Sequence, residues 1–179
     1  VGTRIVLDLL ARHGVRGTFF VLGYAADRNR ELVREIAAAG HEIACHGYWH
    51  QYVYRQTAAE FEEDLKRALG GLRDLTGQPI RGFRASSFSV SAKTPWFWET
   101  LVRHGVTYDS STFPVKNFLY GGLATKPEPH LMPGLDLVEI PVVPTTFAGI
   151  NIPFSGGFYL RFHPRAFLDR AARRLNRNG

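Results

Sequence analysis

The stretch "HEIACHGYWHQ" places His46 and His50 four positions apart, directly behind the short apolar run Ile43, Ala44 and Cys45. Two neutral imidazoles can share one divalent ion, and zinc suits such a pair when a carboxylate and an open water position complete the set. If the chain turns helically after the apolar run, the i,i+4 spacing points both rings to one side. Gly47 stands where an HExxH motif would carry glutamate, so that type of local base is absent. Spacing alone fixes no geometry, and in isolation the pair reads more readily as a hydrogen-bonded strand-end histidine beside a surface one. Further along, Arg84 sits among small polar residues in "GFRASSFS" and Asp109 lies in "TYDSSTFP". Taken singly, each is as readily an ion-pair or turn residue.

The elements that must position these groups show in alternating hydrophobic periods. "RIVLDLLARHGV" reads as a helix ending near Gly14, and "GTFFVLG" as a buried strand. "NRELVREIAAAG" is a second helix with a glycine stop, and "HEIAC" the next strand. "TAAEFEEDLKRALGGLRDLTG" opens with Thr57 and Glu60 at capping-box spacing and supplies a third helix before "IRGFRAS". "TPWFWETLVRHGV" is a fourth, leading to "TYDSS". Repeated helix-then-strand units predict an α/β fold with a parallel sheet, either open or closed into a barrel. In such folds the loops leaving the C-terminal strand ends gather on one face, and His46, His50, Arg84 and Asp109 all fall there. Beyond Phe113 the texture changes, with Pro114, Pro127, Pro129, Pro133, Pro141, Pro144 and Pro153 interrupting one plausible strand, "LVEIPVV". "PRAFLDRAARRLNRNG" then reads as an amphipathic helix with proline at its start. No internal repeat or linker divides residues 1–179, so one domain is expected.

Composition narrows the classes. The 179 residues are 45% hydrophobic and 13% aromatic, enough for a packed core and against disorder. The net charge of +6 invites a nucleic-acid reading, but the arginines are scattered among acids on helical faces, which describes a solvated basic surface. An anionic sugar polymer or a membrane surface is compatible with that charge. No apolar run approaches the roughly 18 residues of a transmembrane helix. Cys45 is the only cysteine, which excludes an internal disulfide and points weakly to a reducing compartment. The chain begins at Val1 and its only methionine is Met132, so the natural start is expected upstream. The compartment, cytoplasm or cell envelope of a bacterium, stays open.

Taken together and in order, "GTFFVLG", "GHEIACHGYWH", "RGFRASSFS" and "YDSSTFP" resemble the polysaccharide deacetylases, the carbohydrate esterases built on the NodB-homology domain (family four). The later "VEIPVV" and "FSGGFYLRFHPRAFLDRAARRLN" are similar to the subgroup associated with exopolysaccharide loci. The resemblance implies an incomplete distorted (β/α) barrel. It also implies divalent-metal-dependent, most naturally zinc-dependent, removal of N-acetyl and sometimes O-acetyl groups from an amino-sugar polymer. On that resemblance His46 and His50 match the metal-binding histidines, and Arg84 the arginine that orients the catalytic aspartate. Asp109 matches the acid that supports a general-acid histidine, and Ser87 the position whose backbone N–H stabilises the oxyanion. The family pattern has proline where this chain has Ser86.

Two of the family's parts have no match. The aspartate-rich first strand, with the base and third metal ligand, would precede the helix in which this chain starts, and Asp8 lies inside that helix. The late histidine motif would follow the last helix, and His163 precedes it. The expectation is a domain truncated at both ends, feebly active alone, whose parent protein is enzymatic. The alternative is a degenerate carbohydrate-binding domain with aromatic walls from Tyr48, Trp49, Phe88 and Tyr159.

Overall fold

The computed structural model describes residues 2–113, 126–147, 150–154, 157 and 159–177. Pro114, the Ser155, Gly156 and Phe158 of the segment likened to the exopolysaccharide subgroup, and both chain ends lie outside the described residues.

An amphipathic helix, α1 (Gly2–Arg12), leads into β1 (Thr18–Val21), and two short helices, α2 (Gly23–Arg28) and α3 (Arg30–Ala38), lead to β2 (Glu42–Cys45). The long α4 (Ala58–Thr76) precedes β3 (Gly82–Phe83), and α5 (Trp96–Arg103) precedes β4 (Tyr108–Asp109). β5 (His130–Leu131) and β6 (Val138–Glu139) complete one sheet in the order β1-β2-β3-β4-β6-β5. All neighbours are parallel except β5 and β6. A hairpin of β7 (Thr145–Phe147) and β8 (Ile150–Ile152), then α6 (Tyr159–Phe162) and α7 (Arg165–Arg177), follow. The α/β class and parallel sheet agree with the sequence reading. Among the described residues the sheet is open, with β1 and β5 at its edges.

Helix α4 shows why the layers hold. Phe61, Leu65, Ala68, Leu69, Leu72 and Leu75 recur at helical spacing and all are buried. Thr57 caps the helix by accepting the Glu60 N–H, while the Glu60 carboxylate accepts the Thr57 N–H at 2.7 Å. The Phe61, Phe83 and Phe97 rings from α4, β3 and α5 meet at centroid separations of 5.2 to 5.8 Å. Each such side chain contributes about 1.5–3 kcal/mol on burial, so this cluster fixes the sheet against the helices.

Two sequence expectations need correction. "GTFFVLG" was expected as a buried strand, but β1 is an edge strand whose residues are partly or fully exposed. An all-apolar run cannot by itself report whether a second neighbour covers it. "LVEIPVV" forms a strand only at Val138–Glu139, because Pro141 has no N–H to give. The ladder nevertheless continues around it, with Ile140 donating to Asp109 O at 2.7 Å and Val142 to Thr112 O at 3.0 Å.

Candidate active site

The C-terminal ends of β2, β3, β4 and β6 converge through hydrogen bonds. After β2 the chain does not turn helically, contrary to the expectation from the i,i+4 spacing. Gly47 at φ 77° and His50 at φ 61° fold the loop instead. The His46 and His50 rings still meet, with centroids 5.2 Å apart and planes at 68°. Asp64 on α4 holds the intervening backbone, accepting the Tyr48 N–H at 2.6 Å and the Trp49 N–H at 3.1 Å. From the other side, Gly23 and Tyr24 at the start of α2 donate to Gly47 O at 2.9 Å and Tyr48 O at 3.2 Å. A left-handed φ at a non-glycine residue such as His50 is a strained conformation maintained by such anchors. Asp64 escaped the sequence reading because it lies on a helix, distant in the chain from the loop it holds.

His46 donates its Nδ1–H to the Arg84 carbonyl at 2.6 Å. That bond fixes the tautomer and leaves Nε2 with its lone pair. Burial holds the His46 imidazole below its ordinary pKa, against the opposing effect of the carbonyl, so the ring is kept neutral. The Arg84 guanidinium stacks 4.1 Å from the Phe20 ring centroid. It donates to Ser110 O at 3.0 Å and Ser110 Oγ at 2.6 Å. One residue therefore holds the β2 end through its backbone and the β4 end through its side chain.

Ser87 lies in a 3₁₀ turn, Ser86–Phe88, with left-handed φ at Ser87 (52°) and Phe88 (50°). Phe88 N–H and Ser89 N–H close the turn onto Ala85 O and Ser86 O, leaving the Ser87 N–H outside the turn's own bonding. Two side chains pin the loop in which Ser86 replaces the family's proline. Ser111 Oγ accepts Ala85 N–H at 2.8 Å and Ser89 Oγ accepts Val53 N–H at 2.9 Å.

Asp109 is fully buried and accepts from Trp98 Nε1 at 3.2 Å and Ser111 Oγ at 2.5 Å. Beside it on β6 lies Glu139, also fully buried, whose Oε1 accepts the Thr112 N–H at 3.0 Å and hydroxyl at 2.7 Å. Burial first, then the Glu139 charge, push the Asp109 carboxyl well above the ordinary carboxylate range. Glu139 was missed in the sequence, where it lay unremarked within the stretch "LVEIPVV".

Residues 2–108 match the family profile described as polysaccharide deacetylase. The chain belongs to the polysaccharide deacetylase family. Residues 110–179 match a second profile, described as a domain of unknown function (DUF3473). This deacetylase-family chain is similar to the peptidoglycan deacetylase of Helicobacter pylori, 32% identical over 111 residues that cover 62% of this chain and 37% of the relative. It is also similar to the chitooligosaccharide deacetylase of Bradyrhizobium sp., 36% identical over 75 residues, 42% of this chain and 34% of the relative. The chain thus spans little more than a third of the length of either. Among solved structures it is similar to a Mycobacterium smegmatis protein assigned to the polysaccharide deacetylases. The two share 32% identity and a TM-score of 0.66, over 88% of this chain and 52% of that one.

Polysaccharide deacetylases use a divalent metal, and the fit to this chain is partial. Two imidazoles face each other and one has its tautomer set for ligation, but no group of three or more His, Cys, Asp or Glu able to hold an ion occurs among the described residues. Asp8 is exposed on α1. His163 donates its Nε2–H to Pro153 O, 2.9 Å away, and packs between Tyr159 and Phe167. Of the four aromatics expected as pocket walls, Tyr48 and Trp49 stay together with ring centroids 4.7 Å apart, Tyr48 being buried with its hydroxyl donated to Asp27, whereas Phe88 packs on Phe113 and Tyr159 on His163. Trp49 alone of the four is well exposed, at 50%, with its ring 5.1 Å from that of Tyr24. No described helix is long and apolar enough to cross a membrane.

Proposed function

We propose that the protein carrying this domain removes N-acetyl groups, and in some substrates O-acetyl groups, from an acetylated amino-sugar polymer by metal-dependent hydrolysis. The observation that carries the reading is the paired His46 and His50 rings with His46 Nδ1 committed to the Arg84 carbonyl, in a chain of this family. The peptidoglycan and chitooligosaccharide named for its relatives support an acetylated sugar polymer as the substrate class.

His46 and His50 would supply two ligands to the ion, for which zinc is the natural choice given two imidazoles. A bound divalent ion supplies Lewis acidity toward the acetyl carbonyl and lowers the pKa of water. The Ser87 N–H offers a donor where the acetyl oxygen gains negative charge, and a strained, pinned turn keeps it there without reorganisation. Arg84 keeps the β2, β3 and β4 ends in fixed relation, and Asp109 supports the acid group from below the site.

Asp8 lies inside helix α1 and His163 precedes the last helix, so neither matches the family's acid–base motifs, and we assign the proton-transfer roles to those first and last motifs. General acid–base groups each contribute about 10²–10⁴-fold, so these 179 residues alone should turn over feebly. The test measures acetate release from N-acetylated chitooligomers by this chain, by a chain that also carries the aspartate and histidine motifs, and by that longer chain without its aspartate. Robust turnover only in the second supports the reading. Equal rates in all three overturn it. A second reading, a non-catalytic sugar-binding domain, draws on the exposed Trp49 and Tyr24 rings, and binding without turnover in the longer chain would favour it.

A further inference from the structure

Asp109 and Glu139 are Cα partners in the parallel register of β4 and β6, so their side chains leave the sheet on the same face as neighbours. Both are fully shielded from solvent. Glu139 Oε1 is saturated by the two Thr112 bonds, whereas Oε2 is buried with no hydrogen-bond partner among the described residues. Asp109 already accepts from the Trp98 indole and the Ser111 hydroxyl. Two ionised carboxylates in this position would repel each other without water between them, and one oxygen would stay unsatisfied. A proton between the carboxyls removes both penalties, because a carboxylic acid can donate where a carboxylate cannot.

We propose that Asp109 and Glu139 hold one proton between them at neutral pH and act as a single monoanion, with Glu139 the positioning residue for Asp109. The groups around the pair leave that proton in place. Arg84, the cation at the end of β3, is attracted by both carboxylates but gives its Nε and Nη2 bonds to Ser110, so its single charge is matched by one negative charge on the pair. α5 presents the neutral Trp98 indole, and Tyr108 on β4 has its phenol pushed above its ordinary pKa, chiefly by burial. His130, the Cα partner of Glu139 on β5, turns its Nδ1 to Glu128 O at 2.8 Å. The pair is also wired to the proposed oxyanion loop, since Ser111 donates to Asp109 while accepting from Ala85. Under the proposed function, the charge supporting the acid group is therefore that of the pair, not of Asp109 alone. That consequence rests on the proposed function; the proton count does not, and it can be read without substrate.

Isotope-edited infrared spectroscopy of the full 179-residue chain at pH 7 tests the count. The expected spectrum contains a protonated-carboxyl band that moves when aspartate or glutamate side chains are ¹³C-labelled. Glu139→Gln and Asp109→Asn, whose amides supply the missing donor, should each abolish it. No band in the unaltered chain, or one insensitive to both labels, overturns the proposal without requiring any variant to fold. A band that survives Glu139→Gln also overturns it, because the proton would then belong to Asp109 by burial alone.

Discussion

Asp64 holds Tyr48 by a 2.6 Å hydrogen bond to its backbone N–H, and through it the loop that carries His46 and His50, the two proposed metal ligands. Asp64→Ala removes this bond and the one to Trp49, freeing a loop in which His50 is strained. Partners that orient metal ligands are worth about 10–100-fold in affinity, and a loss of that size is expected in calorimetric zinc titration. Unchanged affinity would show that the loop holds its shape without Asp64.

His46→Ala/His50→Ala should abolish site-specific zinc binding, while the unaltered chain binds weakly because only two imidazoles have been brought together. Equal, negligible binding by both chains would count against a metal site in these residues.

Arg84→Ala separates the residue's two duties. The His46 contact uses the backbone carbonyl and survives, so zinc affinity should stay near that of the unaltered chain. The side-chain bonds to Ser110 are lost, at a cost of about 1.5–3 kcal/mol for a hydrogen bond from a charged donor, read from urea unfolding. In a longer chain that supplies the proposed acid–base groups, turnover should fall further than metal occupancy.

Gly23 lies where α2 passes the loop, and a Cβ there would stand 2.4 Å from Tyr48 Cδ2 and 3.2 Å from Ala68 Cα. Gly23→Ala should destabilise the fold by about 1–3 kcal/mol, the usual cost of overpacking. It should also weaken zinc binding, because the ring that must move belongs to the same loop as the histidines. A stability change without an affinity change would mean that Tyr48 yields independently of its backbone.

The carboxyl pair predicts a pH dependence with a definite sign. Asp109 is raised above its unfolded value, so its contribution is fully present below the ordinary carboxylate pKa and is lost as pH rises through the folded one. Stability should therefore decline with pH across that interval in the unaltered chain, and less steeply in Glu139→Gln, which carries one charge fewer. Urea midpoints over a pH series decide it; parallel slopes would remove the pair as the source.

Much of this was legible in the sequence because it depends on local pattern. The helix period of Phe61, Leu65, Leu69 and Leu72 and the Thr57–Glu60 cap fixed α4, and the alternation of helix and strand fixed the parallel order. The family motifs singled out His46, His50 and Arg84. What stayed hidden depends on partners distant in the chain. Spacing suggested a helical route for the histidines, whereas Gly47 and the Asp64 clamp bring the rings together by another path. Glu139 acquires its meaning only from register with Asp109. The β7–β8 hairpin was obscured by the surrounding prolines, which mark loops more strongly than short strands announce themselves.

The register of β4 with β6 also links assembly to acidity. Thr112 and Glu139 are 27 positions apart, so the bonds that hold Glu139 beside Asp109 cannot form until the intervening segment has closed. Closing such a long loop makes the step slow relative to local helix formation. A shared proton would have to be captured as that edge docks, making the step proton-consuming. Refolding followed after a pH jump should thus contain a phase that quickens as the solution becomes more acidic, and that phase would report the moment at which β6 joins the sheet.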